Sequence, residues 1–418
     1  MKFTLTKQIL LGVVIGITIG AFAPEFGTNI AWLRDVFLHL IKVIIAPLVF
    51  ATVVIGIAGG GHGASVGRLG VKSLVYFEIV TTLALVIGLV VVNVVQPGHG
   101  IVLAGDPGTL GSVATNHPKT LIETIVHIFP SSIIDAMAKG DVLQIVTFSV
   151  LFALALNRIG DHAKPIIAWC ESLAQTMFSF TNLIMRFAPI GIGAAMASTI
   201  GHQGLGILSS LGLLIGSLYL ALVLFVLLVF GAVVIIARVP LRPFLRAVRE
   251  PFTLAFVTTS SESALPMAME RMERFGVPKH IVGFVMPAGY TFNLDGTTLY
   301  LSMASVFVMQ AVASTVPGFT FTIEQQITMM LALMITSKGV AAVPRASLVI
   351  LLATLSTFLP DNLKHYGPIA VAMIFGVDEF MDMARTSVNL LGNCLATVVV
   401  ARWEGAFDDQ KARSFRAS

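Results

Sequence analysis

Apolar residues run in blocks along this chain, and the lengths of the blocks set the first expectation. The clearest fall at about 8–24, 34–58, 71–96, 142–157, 164–198 and 207–237. Crossing a bilayer takes roughly 20 apolar residues, so these six read as membrane-spanning helices. Glycine is frequent in them, which suits close helix packing in lipid. Four later regions are apolar with polar interruptions. The segment PFTLAFVTTSSESALPMAM is short and has a polar centre, Thr258 to Ser263. A span at about 281–313 is broken by TFNLDGTTLY, and a stretch at about 325–358 has a polar, proline-containing middle. A last span, about 366–402, carries a polar stripe.

Lys and Arg orient these elements, because cytoplasmic loops retain them. Lys2 and Lys7, then Arg68 and Lys72, then Arg158 and Lys164, then Arg238, Arg242, Arg246 and Arg249 mark alternate loops as cytoplasmic. The stretch from Gly98 to Gly140 holds only Lys119 and Lys139, and the turn near Gly201 holds none. Six crossings alternate in this way. Arg249 and the cluster Arg271, Arg274, Lys279 then lie on one side, so the segment between them must enter and return. Irregular backbone at membrane depth is tolerated only inside protein or along a water-filled cavity. The sequence thus predicts re-entrant hairpins at about 242–275 and, from the opposite face, about 323–360. Arg402, Lys411, Arg413 and Arg416 put the C-terminus inside with the N-terminus. The expected fold class is an all-α polytopic membrane protein. It has eight transmembrane helices plus two re-entrant helical hairpins, arranged as inverted repeats with the binding site where broken elements meet.

Composition narrows the classes. Only 11% of the 418 residues are charged and 56% are hydrophobic, whereas a soluble domain carries about 25% charged residues. One integrated membrane domain is expected over 1–418, with no soluble module. The net charge of +4 sits in particular loops, so it speaks for orientation and lipid rather than nucleic acid. Cys170 and Cys394 offer neither a disulfide framework nor metal-ligand spacing. The N-terminus reads as a retained first helix rather than a signal peptide. No Gly-rich phosphate loop with a lysine argues for ATP-driven transport. No histidine beside a serine near a span centre argues for an intramembrane enzyme, so none is expected.

The chemistry concentrates in the last span. Asp378, Asp382, Arg385, Thr386, Asn389 and Asn393 are spaced to share one face of a helix. A charge at the bilayer centre costs at least about 2.5–3.5 kcal/mol. Two readings are open: Asp382 and Arg385 only neutralise each other, or they bind a solute. Arg385 offers a planar fork for a carboxylate, and Asp382 an acceptor for an ammonium. Together they fit an amino acid with an extra carboxylate. Asn293, Asp295, Gly296 and Thr297 interrupt the seventh span, either as a surface turn or as unwound backbone that forms an oxygen cage for a small cation. Glu78, alone among apolar residues with Thr81 and Thr82 a turn away, is a candidate proton carrier or a structural hydrogen-bonding group. Glu262 at the first hairpin tip is a second candidate carrier.

With SSES (Ser260 to Ser263), NLDGT (Asn293 to Thr297), SKGVAAVP (Ser337 to Pro344) and DMARTSVNLLGN (Asp382 to Asn393) in that order, the chain resembles the glutamate transporter family, the dicarboxylate/amino acid:cation symporters. It is most similar to the bacterial proton/glutamate symporters. The resemblance covers essentially the whole length. It implies a homotrimer in the bacterial cytoplasmic membrane and an elevator motion gated by the hairpins. Scaffold helices are expected mainly at 1–70 and 142–200, a moving transport domain mainly at 71–96 and 207–402, and a cytoplasmic tail at 403–418. It implies that the Arg385 guanidinium binds the substrate side-chain carboxylate and that Asp382 binds the amino group. Ser260, Ser261, Thr297, Thr386, Asn389 and the backbone of Val343 complete the substrate set. C4-dicarboxylate relatives lack the amino-binding aspartate. The implied cation-coupling set is Glu78, Thr81, Thr82, Glu262, Gly289, Thr291, Asn293, Asp295, Ser337, Asn389 and Asn393, with Asn293 and Asp295 as sodium ligands.

Some positions depart from the sodium-coupled pattern. Asn393 replaces a ligating aspartate, Glu78 a tyrosine, Leu301 a proton-carrying glutamate and Arg345 a hairpin-tip glycine. The expectation is uptake of L-glutamate or L-aspartate driven by protons, sodium or both, with no other cofactor. The alternatives are a C4-dicarboxylate symporter and an anion channel.

Overall fold

The computed structural model describes residues 5–58, 64–103, 126, 129–139, 142–336 and 346–415. Among these residues the only regular secondary structure is helical. The first group begins with α1 (Leu5–Phe22), the short α2 (Pro24–Asn29) and α3 (Ala31–Ala58). After α4 (Ala64–Val95) and the short α5 (Ile133–Lys139), it continues with α6 (Val142–Ile159), α7 (Lys164–Met185) and α8 (Ala188–Gln203). The α1 helix lies along α8, and α3 packs on α6, α7 and α8. A side chain at Gly16 would overlap the carbonyl of Gly193, so the two backbones touch through glycine, as in small-residue membrane packing. The expected single span 164–198 is two helices, because the chain turns at Arg186–Phe187 and restarts with Pro189 in the first turn of α8, where its missing N–H costs nothing.

The second group is built on α4 and on α9 (Ile207–Ile236). Both have a dry side and a wide apolar exposed side. On α4, Phe77, Val80, Ala84 and Val92 are buried, while Val71, Val75, Ile79, Leu83, Val86 and Val90 are exposed. On α9, Leu213, Leu220, Val223, Leu227, Leu228 and Ile235 are exposed. Such continuous apolar surface marks a face that water does not solvate. Next, α10 (Leu241–Thr258) and α11 (Ser261–Arg274) pair as a helical hairpin. Its tip is Thr259, with left-handed φ 51°, and Ser260.

A helix then breaks for two residues, Asn293 and Leu294, between α12 (Lys279–Phe292) and α13 (Asp295–Thr315). The pair α14 (Ile323–Thr336) and α15 (Ala346–Phe358) pack on each other. The expected last span is also divided, into α16 (Tyr366–Phe375) and α17 (Asp378–Trp403), with the break at Gly376–Val377. The α17 helix is central: α10, α11, α12 and α13 all pack on it, and α13 is held from the other side by α4. Among the described residues, four helical stretches are long and apolar enough to cross a membrane by length and composition: Arg68–Val95, Ile207–Ile236, Lys279–Thr315 and Asp378–Trp403.

Beyond α17 the chain folds back onto the base of the α10–α11 hairpin. Asp408 caps α18 (Asp409–Ser414) by accepting from the N–H groups of Gln410 and Lys411 at 3.1 and 3.0 Å. The Asp408 N–H donates to the Gly276 carbonyl at 3.0 Å. Phe407 and Phe415 pack on Phe275, and Arg402 holds Asp409 with both terminal nitrogens at 2.6 Å. Glu404 binds Lys72 at 2.7 Å and Arg68 at 2.8 Å, at the start of α4. This segment is docked structure, not a loose tail.

Candidate functional site

The break before α17 decides where its charges point. Asp378 is the first residue of the helix and is fully buried. A carboxylate is favoured there by the unsatisfied N–H groups of the first turn. Two turns on, Arg385 is 1% exposed. Its Nη1 and Nη2 donate to the two oxygens of Asp378 at 2.9 and 3.1 Å, a bidentate fork, and its Nε donates to Asp382 Oδ1 at 2.9 Å. The Tyr300 ring of α13 lies 4.1 Å from the guanidinium carbon, a cation–π contact that fixes the plane of the fork. Thr386 Oγ1 donates to the same Asp382 oxygen at 2.9 Å.

The α13 helix starts against this face. The Asn389 side-chain carbonyl accepts from the N–H groups of Gly296 and Thr297 at 2.8 and 3.2 Å, and its amide donates to Thr297 Oγ1 at 2.9 Å. Two orphan donors of the α13 N-terminus are therefore capped from α17 rather than locally. A Cβ on Gly296 would sit 2.5 Å from the Arg385 carbonyl oxygen, so glycine is what lets the two backbones meet.

One to two turns further along α17 lies a second, uncharged-to-acidic cluster. Asn293 Nδ2 donates to Asn393 Oδ1 at 3.0 Å, and Thr81 Oγ1 donates to Asp295 Oδ1 at 3.4 Å. Asn293, Asp295 and Asn393 are all at most 1% exposed, and Asn293 Oδ1 makes no hydrogen bond among the described residues. Gly289 faces the Asn393 amide, and Gly392 faces Asp295 Oδ2. A buried carboxylate, a free amide oxygen and a threonine hydroxyl form a donor set suited to a small hard cation. Across both clusters, three aspartates (Asp295, Asp378 and Asp382) stand against one guanidinium, a formal excess of two acidic groups.

The sequence profile of the sodium:dicarboxylate symporter family matches residues 5–403. The chain belongs to the sodium:dicarboxylate symporter family. The chain is 44% identical to the "proton/sodium-glutamate symport protein" of Bacillus subtilis (strain 168), over 99% of this chain and 96% of that protein. It is also 44% identical to the "C4-dicarboxylate transport protein" of Laribacter hongkongensis, over 97% of this chain and 90% of that one. The namesake of Pseudomonas syringae pv. tomato gives 44% over 98% and 88%. The protein is accordingly a symporter and a multi-pass membrane protein of this family.

In this symporter the expected site residues separate into three sets. Thr297, Asp382, Arg385, Thr386 and Asn389 come together on the α13–α17 face, and Thr81, Gly289, Asn293, Asp295 and Asn393 come together beside it. Ser261 at the hairpin tip is buried, and its carbonyl accepts from the Tyr290 hydroxyl at 2.6 Å, which ties the tip to α12. Ser260 is half-buried. Two expectations are modified. Glu78 is half-buried, at the edge of the exposed stripe of α4, rather than enclosed. The Thr82 hydroxyl donates to the Glu78 backbone carbonyl at 2.7 Å, so in this structure it serves its own helix. Ser337, Val343 and Arg345, and the side chains of Glu262 and Thr291, lie outside the described residues.

Two participants carried no role in the sequence reading. Asp378 was legible as part of the polar face, but its fork on Arg385 was not. Tyr300 was not singled out at all. The available signal was numerical: a single buried arginine on a face with two aspartates needs its second partner named.

Proposed function

We propose that this symporter carries an acidic amino acid, L-glutamate or L-aspartate, together with cations. The observation behind this reading is the buried Arg385 beside Asp382, Thr386 and Asn389 on one helix face. The guanidinium suits the substrate side-chain carboxylate as a planar, bidentate donor. Asp382 supplies the opposite charge that an α-ammonium requires. Asp378 holds the Arg385 fork and is the group that an incoming carboxylate must share or displace.

Charge balance supports cation coupling. Excess negative charge in a dry site is strongly disfavoured, and the two clusters already hold three carboxylates against one guanidinium. Glutamate brings one further net negative charge, and a dicarboxylate brings two. Cations must enter with either, and more of them with the second. Asn293, Asp295 and Thr81 are the ligands we assign to sodium, and Glu78 is the group we assign to proton exchange. The two helix groups serve as the stationary and moving bodies of an elevator in a homotrimer.

A C4-dicarboxylate substrate is the second reading, favoured by the fact that Asp382 is already engaged by Arg385 and Thr386. The deciding experiment is uptake in proteoliposomes with pH and sodium gradients imposed separately, with labelled glutamate competed by succinate. Accumulation of glutamate against its gradient, resistant to succinate, supports the amino-acid reading. Competition by succinate at glutamate's own affinity overturns it. Conductance without accumulation favours an anion channel.

A further inference from the structure

The outer arm of the first hairpin carries a feature that symport does not use. Along α10, Arg242, Arg246 and Arg249 are all exposed. At a helical 100° per residue they share an arc of about 60°. None of the three guanidiniums has an ion-pair partner among the described residues. Several other basic residues nearby do: Arg271 pairs with Glu250, Arg402 with Asp409, and Arg68 and Lys72 with Glu404. Three uncompensated arginines in register therefore form one ridge.

What borders the ridge identifies its partner. On one side lie Leu241 and Leu245, 49% and 51% exposed, and the chain reaches them from Ile235 and Ile236, 76% and 81% exposed at the end of α9. On the other side lies Glu250, reaching Arg271. Phe244, Ala247 and Val248 bury the opposite face. Going round the helix, the surfaces met are protein core, apolar contact, cationic ridge and then the exposed carboxylate of Glu250, paired with the buried Arg271. A helix lying in a bilayer interface meets protein, acyl chain, headgroup and water in that order. A topogenic signal requires positive charge near span ends, but it does not require this register beside exposed leucines.

We infer that the Arg242–Arg246–Arg249 ridge of α10 binds the phosphate headgroups of anionic phospholipid, with Leu241 and Leu245 set against the acyl chains. The guanidinium forks match phosphate oxygens. The ridge stands on the hairpin whose tip, through the Ser261 carbonyl and Tyr290, adjoins the buried site. Bound anionic lipid therefore grips the arm that positions that tip.

The test uses the full-length protein in nanodiscs of phosphatidylcholine with graded phosphatidylglycerol, the lipids retained being counted by native mass spectrometry. Wild type is expected to retain phosphatidylglycerol in preference to phosphatidylcholine. The R242Q/R246Q/R249Q variant is expected to lose about 100-fold of that preference, roughly fivefold per arginine near an anionic surface. Raising ionic strength shrinks the wild-type preference. Arg158→Gln, an exposed arginine on another helix, leaves it unchanged. Should the triple variant fail to fold, each single variant still shows its fivefold step. The proposal is overturned if the variants retain the wild-type preference. It is equally overturned if inorganic phosphate alone displaces the lipid at millimolar concentration, or if cysteines at position 242 cross-link two copies and exclude lipid.

Discussion

Replacing Asp382 with asparagine isolates the charge to which we assign substrate discrimination. The side chain is 4% exposed, and one of its oxygens accepts from both Arg385 Nε and Thr386 Oγ1 at 2.9 Å. Asparagine keeps the shape and an acceptor oxygen, so the Arg385 fork on Asp378 can remain. What disappears is the anion we assign to the substrate ammonium. Removing one partner of a buried, hydrogen-bonded charge pair costs about 2–5 kcal/mol, which is roughly 30-fold to a few thousandfold in Kd. The same change moves the cluster one charge toward neutrality, which eases entry of a dicarboxylate lacking an ammonium. Glutamate affinity is therefore expected to collapse while succinate affinity holds or improves. Competition against labelled substrate in proteoliposomes reads both. Glutamate affinity within threefold of wild type, or equal loss of both ligands, refutes the reasoning.

Four further outcomes are expected. Glu78→Gln flattens the pH dependence of uptake in vesicles, and an unchanged profile removes Glu78 from the proton path. Gly296→Ala presses a methyl against the Arg385 carbonyl, an overpacking cost of about 1–3 kcal/mol, so substrate affinity measured by calorimetry should fall roughly 10-fold or more. Gly16→Val separates α1 from α8 at the Gly193 contact at a similar cost, seen as a lower denaturation temperature with substrate affinity retained. Glu404, held below the ordinary carboxylate range by hydrogen bonds from Lys72 and then Arg68, stabilises the docked C-terminal segment at neutral pH. That stabilisation is present above the unfolded carboxylate value and is lost as pH falls through the lower folded one. Hydrogen exchange at residues 404–415 should therefore rise on acidification, and Glu404→Gln should raise it already at neutral pH.

Local periodicity carried much of this structure. The long apolar runs became α1, α3, α4 and α9, and the polar spacing from Asp378 to Asn393 became one face of α17. The turn of the first hairpin fell within the polar run Thr258 to Ser263, at Thr259–Ser260. Two breaks inside runs read as single spans were missed, although Arg186 and Pro189 mark one and Gly376, just before Asp378 and Glu379, marks the other. Partnerships across the chain were hidden as well. The cap of α13 by Asn389 joins residues more than 90 positions apart, and nothing in either segment's pattern states it. The C-terminal segment was read only as a cytoplasmic tail, yet two of its phenylalanines pack on a third, Phe275, which follows α11.

That docking gives the chain's end a use as an instrument. Ser414 is exposed one residue before the buried Phe415, on a segment stitched to α4, α11 and α17. A fluorophore placed there shares any displacement of those three elements. Paired with a second dye on α1, it would test whether one helix group moves past the other during a single turnover, far from every residue we assign to the cargo.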